Sequence, residues 1–236
     1  MESYAIYGHF YDATQGIPSG ASYLHLLRKH HPRARSVLEI ACGTGAHLAA
    51  LVRDYEVTGL DISPTMLRYA RKKLPQVRFY RQNMAGFRLP GTFDAVICPY
   101  DSMNHMLRFT DWVRTFKAAK RHLNPQGVFI FDINTQYRLR DLARVPPWTR
   151  RFGDNYLIMT VSMATADTVN WDIKVFEQTQ PGRFRLHHEV IKERSFEHQK
   201  IMRALRSDFS SVRAYDLVGW SQAKSTSRRL FYVCKV

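Results

Sequence analysis

The chain lacks the features that would assign it to a membrane or disulfide-stabilised class. Its 236 residues contain no apolar run of roughly 18 residues, the length that a membrane-spanning helix needs. Residues 1–20 lack a signal-peptide pattern. Cysteine is scarce, and the three cysteines (Cys42, Cys98 and Cys234) fall in apolar runs, which argues against a disulfide framework or a metal site. We expect a soluble cytoplasmic protein with no membrane partner and no metal.

Acidic residues are few beside basic ones. The chain has 20 Asp and Glu against 35 Lys and Arg, a formal net charge of +15. Such an excess occurs in proteins that bind nucleic acids or anionic substrates. Here the basic residues are spread along the chain, and no stretch has the pattern of a nucleic-acid-binding module. The charge leaves nucleic-acid binding as an alternative and does not select it.

Residues 37–51, VLEIACGTGAHLAAL, carry the most chemical information. An apolar strand-like run leads into a loop with Gly43 and Gly45, and an apolar helical segment follows. Glycine lets the backbone turn sharply and lets a ligand lie against the main chain. A second apolar run ends in Asp61, where the acid of a doubly wound fold holds a ribose diol. Together the two features predict a nucleoside-binding cleft.

The glycine spacing discriminates between two nucleoside cofactors. The nicotinamide dinucleotide fingerprint is G-x-G-x-x-G, and Leu48 occupies its third glycine position. The loop instead resembles motif I of the class I S-adenosylmethionine (SAM) methyltransferases, an acid followed by G-x-G-x-G, with Ala41 in place of the first glycine. It is similar to the loop of bacterial aminosugar N-methyltransferases and related small-molecule enzymes. The resemblance implies SAM as cofactor and S-adenosylhomocysteine as its product.

Alternating apolar runs and helical patterns over residues 36–133 predict a parallel α/β sheet. After Pro146 and Pro147, three runs rich in β-branched and aromatic residues predict an antiparallel meander. A helix and two closing strands follow, as in class I methyltransferases. The predicted fold is α/β, a Rossmann-like seven-stranded class I methyltransferase sheet with an antiparallel β-meander insertion. Its predicted strands are 36–40, 56–60, 77–80, 93–98, 127–132, 156–164, 168–179, 183–194, 209–217 and 229–234, and its predicted helices are 46–53, 64–74, 111–122 and 196–206.

The predicted organisation places a SAM-binding methyltransferase domain in residues 1–147 and 196–236. Within it, residues 1–35 form an N-terminal lid or helical segment. Residues 148–195 form the antiparallel insertion, which we expect to serve as a substrate lid or as the interface of a homodimer.

The resemblance also assigns residues to the cofactor. Asp61 takes the ribose hydroxyls, and Ile62 and Met66 pack near the adenine. Asn83 stands where the family often has an aspartate that binds the adenine amino group, and its amide oxygen accepts the same hydrogen bond. The residues implied to contact the cofactor are Glu39, Ala41, Gly43, Gly45, Asp61, Ile62, Met66, Asn83, Met84 and Pro99.

The segment after the fourth predicted strand bears on the acceptor. Nucleic-acid amino-methyltransferases carry a tetrapeptide there with a polar residue, two prolines and an aromatic. Residues 97–100, ICPY, lack the polar residue and one proline, which lowers the nucleic-acid alternative. The following Asp101, Ser102 and Asn104 resemble a loop of small-molecule enzymes that flanks the transferable methyl group.

Methyl transfer from a sulfonium requires an aligned, desolvated and unprotonated nucleophile. For an amine, a nearby base can accept the departing proton. The resemblance to aminosugar enzymes places Tyr11 and His122 beside the reacting amine, with His105 as a third catalytic candidate. Structural roles stay open as alternatives, an aromatic lid for Tyr11 and capping of a helix C-terminus for His122.

The sequence thus predicts SAM-dependent methyl transfer to a small molecule, at an amine nitrogen. The alternatives are a nucleic-acid methyltransferase that uses the basic surface, and a protein that binds SAM without catalysis.

Overall fold

A computed structural model of the chain describes Tyr4, residues 6–15 and residues 20–236. The predicted lid residues 1–3, 5 and 16–19 lie outside the described residues. The strands are β1 (Ser36–Ile40), β2 (Glu56–Asp61), β3 (Arg78–Arg81), β4 (Phe93–Cys98), β5 (Leu123–Asn134), β6 (Trp148–Phe152), β7 (Asn155–Thr165), β8 (Thr168–Gln180), β9 (Arg183–Arg194), β10 (Ser211–Asp216) and β11 (Arg229–Lys235). The α-helices are α1 (Tyr11–Gln15), α2 (Ala21–His30), α3 (Leu48–Leu51), α4 (Pro64–Lys73), α5 (Phe109–Arg121), α6 (Gln136–Leu142) and α7 (His198–Arg206).

Seven strands form the main sheet in the order β10-β11-β5-β4-β1-β2-β3. Strands β1 to β5 pair in parallel, and β11 lies antiparallel between β5 and β10. The predicted fold class is confirmed. Central strands are continuous apolar runs because helices cover both faces of the sheet.

Each face of the sheet has its own apolar core. On one face, Trp112 and Phe116 of α5 pack with Phe129 and Phe131 of β5. On the other face, helices α2, α3 and α4 cover the sheet. Helix α2 fell within the predicted lid, but its apolar side chains Tyr23, Leu26 and Leu27 are buried against this face.

Strands β6 to β9 form a second, antiparallel sheet in sequential order. The predicted meander corresponds to β7, β8 and β9. Strand β6 and helix α6 were not predicted. Their sequences are short and flank Pro146 and Pro147, which interrupt any period in that stretch.

The described N-terminal residues lie between the two sheets. A 3-10 helix (Tyr7–His9) and α1 bring Tyr7 into the apolar cluster of the second sheet. The Tyr7 N–H donates to Glu189 Oε2 of β9 at 2.8 Å. On the other side, Lys73 Nζ of α4 bonds Asp12 Oδ2 at 2.6 Å. These contacts fix the segment above the carboxyl ends of the parallel strands.

No helix within the described residues is long and apolar enough to cross a membrane.

Candidate active site

The loop after β1 adopts left-handed backbone conformations. Ala41, Gly43 and Gly45 have φ angles of 55°, 54° and 71°. The two glycines serve different purposes. A Cβ on Gly45 would lie 3.3 Å from the Cβ of Ala70, so this glycine lets the loop pack on α4. A Cβ on Gly43 would meet nothing within 4 Å, so its Cα faces open space that a ligand can fill.

That open space belongs to a cavity of about 270 Å³ at the carboxyl ends of β1, β2 and β4. Seven of the predicted cofactor residues line it: Ala41, Gly43, Asp61, Ile62, Met66, Asn83 and Met84. Ile62 is 55% exposed, which is unusual for a large apolar side chain beside a cavity. The cavity therefore offers an apolar edge on which a flat ring can lie.

Asp61 lies at the end of β2 and is nearly buried. Its Oδ2 accepts the Gly43 N–H and its Oδ1 accepts the Ser63 N–H, both at 2.8 Å. Burial raises the pKa of this carboxyl, while the backbone N–H bonds oppose the increase. Each oxygen keeps a lone pair for a diol.

Three predicted cofactor residues do not line the cavity. Glu39 is buried, and its carboxylate bonds His47 Nδ1 at 2.7 Å. Gly45 packs on Ala70, as described above. The carbonyl of Pro99 accepts the Ser102 hydroxyl at 2.7 Å. Each supports the loops around the cavity, and their assignment as cofactor contacts stays a prediction.

A second cavity, of about 410 Å³, lies between the N-terminal segment, the ends of β4 and β5, and the inner face of the second sheet. Three tyrosines line both cavities: Tyr4, Tyr11 and Tyr100. They form the wall where the two spaces meet, and we call them the shared tyrosine wall.

The second cavity has a polar end built from four side chains. Asn134 Nδ2 donates to Asp101 Oδ2 at 2.9 Å and to Glu193 Oε2 at 3.3 Å. Arg229 bonds Asp101 Oδ1 at 2.6 Å and also bonds Asp132. Burial, and then the charge of Asp101, raises the pKa of Glu193 well above its usual range.

The tyrosine hydroxyls are held in their protonated form. Burial raises the pKa of Tyr100 to about 12, with smaller contributions from Glu39 and Asp132. Burial likewise raises the pKa of Tyr11 above its ordinary value. A protonated phenol does not abstract a proton at neutral pH, so these side chains act as hydrogen-bonding and packing groups.

The structure brings two of the three predicted catalytic residues together and places the third elsewhere. Tyr11 and His105 come together, since the Tyr4 ring contacts both and the Tyr4 hydroxyl lies 3.1 Å from His105 Nε2. His122 lies elsewhere, stacked on Phe87 and nearly buried.

The catalytic prediction for His122 is corrected, because both of its ring nitrogens have structural partners. The Leu89 N–H donates to Nε2 at 2.9 Å, and Nδ1 lies 2.8 Å from the Ala118 carbonyl. The residue also lines neither cavity. His122 therefore joins the end of α5 to the loop before β4, as in the capping alternative.

Comparisons with known proteins agree with this geometry. Residues 37–127 match the family described as a methyltransferase domain. The putative methyltransferase YqeM of Bacillus subtilis is 35% identical over 118 residues, 47% of this chain and 47% of that protein. The dTDP-3-amino-3,4,6-trideoxy-alpha-D-glucopyranose N,N-dimethyltransferase of Streptomyces venezuelae is 33% identical over 108 residues, 45% of this chain and 46% of that protein. The matched part thus spans about half the length of these curated relatives.

A crystal structure of a SAM-dependent methyltransferase from Clostridium acetobutylicum shares the whole fold. It covers 100% of this chain and 99% of its own, with a TM-score of 0.85 and 22% identity. The chain thus has the fold of the class I SAM-dependent methyltransferases. The 270 Å³ cavity has residues that suit SAM as a ligand.

The residues that line the 270 Å³ cavity fit SAM at four points. Gly43 leaves its Cα face open, as an approaching ligand requires. Asp61 presents a nearly buried carboxylate for the ribose, and Ile62 presents an apolar surface for the adenine. Bound SAM supplies an electrophilic methyl group on its sulfonium. The Asn83 amide oxygen already accepts the Ala85 N–H at 2.8 Å and keeps one lone pair for the adenine amino group.

Several site residues were not predicted as such. Tyr4 and Tyr100 of the wall, and Asn134, Glu193 and Arg229 of the second cavity, come from five separate segments. Only tertiary structure brings them together. The sequence pattern of the loop after β4 indicates Asp101. Tyr100 could be predicted only because it is the preceding residue in the chain.

Proposed function

We propose that this methyltransferase transfers the methyl group of SAM to an amine nitrogen of a small molecule. The observation that carries the proposal is the contact between the two cavities at the shared tyrosine wall. A methyl group passes directly between two ligands only if their sites adjoin. A volume of about 410 Å³ is of the size that a small-molecule acceptor occupies.

The relatives support the nitrogen assignment. Curated relatives include N,N-dimethyltransferases of dTDP-aminosugars, with identities of 33% and 34% over somewhat less than half of this chain. The polar end of the second cavity also carries carboxyl groups, which favour a basic acceptor over an acidic one. Tyr11 and Tyr4 would hold the amine in line with the methyl group, as neutral hydrogen-bonding groups.

The acceptor site uses all three parts of the predicted domain organisation. The main sheet supplies Asp101 and Asn134, the N-terminal segment supplies Tyr11, and the second sheet supplies Glu193. We propose that the insertion is a substrate lid, since its inner face forms one side of this cavity. Its outer face exposes Phe184, Leu186 and Val190, and a homodimer through that face is a further prediction, testable by light scattering. The three free, buried cysteines suit the reducing conditions of the cytoplasm, where we propose that the enzyme acts.

A basic cavity of about 250 Å³ bears on the nucleic-acid alternative. It is lined by Lys29, His30, Arg213 and Lys235. Lys235 pairs with Val128, six residues before the carboxyl end of β5 at Asn134, so this cavity lies away from the site, towards the opposite end of the sheet. A polyanion bound there does not present its bases to the methyl group. Steep salt dependence of tRNA methylation would favour this alternative nonetheless.

The decisive experiment measures S-adenosylhomocysteine release from SAM with amines, aminosugar nucleotides, carboxylates, phenols and tRNA as acceptors. We expect product with amines or aminosugar nucleotides. Tight SAM binding with no product on any acceptor would instead indicate a SAM-binding protein without catalysis. Product on phenols or carboxylates alone would overturn the nitrogen assignment.

A further inference from the structure

Two carboxyl groups reach the acceptor cavity from opposite sides. Asp101 lies on the loop after β4 of the main sheet, and Glu193 lies on β9 of the second sheet. Asn134 joins them by donating to both. Glu193 is only 4% exposed, so its carboxyl group is turned away from bulk water. The packing of the second sheet over the main sheet thus places two carboxyl groups on opposite sides of the cavity.

The charges around this position do not cancel. Arg229 forms an ion pair with Asp101, and it also pairs with Asp132. One guanidinium therefore faces two carboxylates before Glu193 is counted. No cation among the described residues forms an ion pair with Glu193. An ammonium ion bound here would be a hydrogen-bond donor to both carboxyl groups.

The carboxyl pair also lies close to the place of methyl transfer. Tyr4 belongs to the shared tyrosine wall, and its pKa is raised by burial, by Tyr11 and by the charges of Glu193 and Asp101. Asp101 and Glu193 also line the same cavity as Tyr4. A group bound between them would face the methyl donor across that wall.

We propose that Glu193 binds the ammonium form of the acceptor together with Asp101 and takes the proton that leaves its nitrogen. This inference rests on the proposed function and narrows its acceptor to a primary or secondary amine that is cationic in water. A phenolate or carboxylate acceptor would meet repulsion at the same position.

The proton and electron balance closes without another reactant. The ammonium nitrogen gives one proton to the Glu193 carboxylate and regains its lone pair. That pair forms the new N–C bond, and the S–C bond breaks with its electrons left on sulfur. The methylated ammonium departs, and Glu193 returns its proton to water. The raised pKa of Glu193 strengthens its carboxylate as a base.

The titratable and charged groups that line the cavity with Glu193 come from several elements packed around it. They are Tyr100 and Asp101 of the loop after β4, Tyr4, Tyr7 and Tyr11 of the N-terminal segment, Arg138 of α6, Arg150 of β6 and Arg229 of β11. Arg138 is paired with Asp141, and Arg150 donates to the carbonyl of Thr14. Asp101 is the acidic member of this set, and Asn134 joins it directly to Glu193.

The first test needs no turnover. Carboxyl ¹³C NMR of the whole protein, labelled at glutamate, follows the titration of Glu193, with Glu193→Gln to assign its signal. We expect a midpoint well above the usual glutamate value of about 4.3. Methylammonium chloride should lower that midpoint relative to sodium chloride at equal ionic strength, because a bound cation favours the carboxylate. Equal midpoints in the two salts would overturn the proposed binding role.

The second test is kinetic. General base catalysis accelerates a reaction by a factor of about 10² or more. Glu193→Gln should therefore lower kcat/KM for an amine by about 10²-fold and leave SAM affinity unchanged. The fall of wild-type activity at acidic pH should also disappear in this variant. Glu177→Gln is the matched control, since Glu177 lies in the same sheet, pairs with His187 and lines neither cavity.

The outcomes separate the two proposals. A Glu193→Gln enzyme with wild-type kcat and an unchanged pH profile would overturn the role of Glu193 while leaving amine methylation intact. A wild-type enzyme that methylates no amine would overturn the proposed function, and the NMR titration would still decide whether Glu193 binds a cation.

Discussion

The carboxylate of Asp132 accepts the backbone N–H of Tyr100 at 2.7 Å. It also accepts the N–H of Asp101 at 3.1 Å and bonds the Tyr23 hydroxyl and Arg229. Tyr100 and Asp101 have φ angles of 57° and 53°, a left-handed conformation that costs about 1–2 kcal/mol per residue. One buried carboxylate thus holds the strained turn that carries part of the shared tyrosine wall and one acid of the second cavity.

Substituting Asp132 should therefore impair methyl transfer through geometry. In Asp132→Asn, the amide turns a donor towards backbone N–H groups or Arg229, and an unsatisfied buried group costs about 1–3 kcal/mol. We expect kcat to fall by about tenfold or more, since catalysis depends on alignment. Steady-state kinetics and thermal unfolding should be measured together.

Asp94→Asn is the control for that variant. Asp94 accepts the N–H groups of Arg35 and Ser36 at the other end of the sheet, so it fastens a turn of similar kind away from the site. It should lower the thermal midpoint and leave kcat unchanged. Equal losses of kcat in the two variants would mean that Asp132 only supports stability.

The two loop glycines should respond differently to alanine. Both have positive φ, so each substitution carries backbone strain of about 1 kcal/mol. The Cβ of Gly43→Ala enters the cavity that we propose for SAM, and we expect SAM affinity to fall by at least tenfold. The Cβ of Gly45→Ala meets Ala70 at 3.3 Å, and we expect the larger loss of thermal stability. Calorimetry of SAM binding with thermal unfolding distinguishes the two; the reverse pattern would contradict the assignment.

The same loop shows how far sequence reasoning reaches. A strand, two glycines and the acid ending the next strand are local signals, so the main sheet and seven residues that line the 270 Å³ cavity could be predicted. The roles of Gly43 and Gly45 could not, because Ala70 is brought to Gly45 only by folding. The role of Glu193 could not be predicted either. The sequence does not show which residues lie beside an acid in a meander strand, and only the fold brings Asn134 to hydrogen-bond both Glu193 and Asp101.

His122 illustrates the opposite error. Its position before β5 suggested catalysis by resemblance, but its two nitrogens bond Leu89 and Ala118. His122→Ala should thus leave the Leu89 N–H without an acceptor, at a cost of about 1–3 kcal/mol in unfolding free energy. We expect lower stability in denaturant unfolding and an unchanged kcat at temperatures where the variant is folded. A selective loss of kcat at wild-type stability would restore the catalytic role.

The basic cavity at the far end of the sheet should make stability depend on pH. His30 is about half buried there, with its Nε2 at 3.1 Å from the Tyr215 hydroxyl. Burial, and then the charges of Lys235, Lys29 and Arg213, lowers the pKa of His30 to about 4.

The sign of the dependence follows from the unfolded state. Histidine in an unfolded chain has a pKa of about 6.5. Between that pH and the folded value of about 4, His30 binds a proton in the unfolded state and not in the folded state. The contribution of His30 to stability is complete above that range and is lost as pH falls towards 4. Urea unfolding at several pH values should show this slope in the wild type and a weaker slope in His30→Gln. The neighbouring His31→Gln should keep the wild-type slope; equal slopes in all three proteins would show that His30 carries no such linkage.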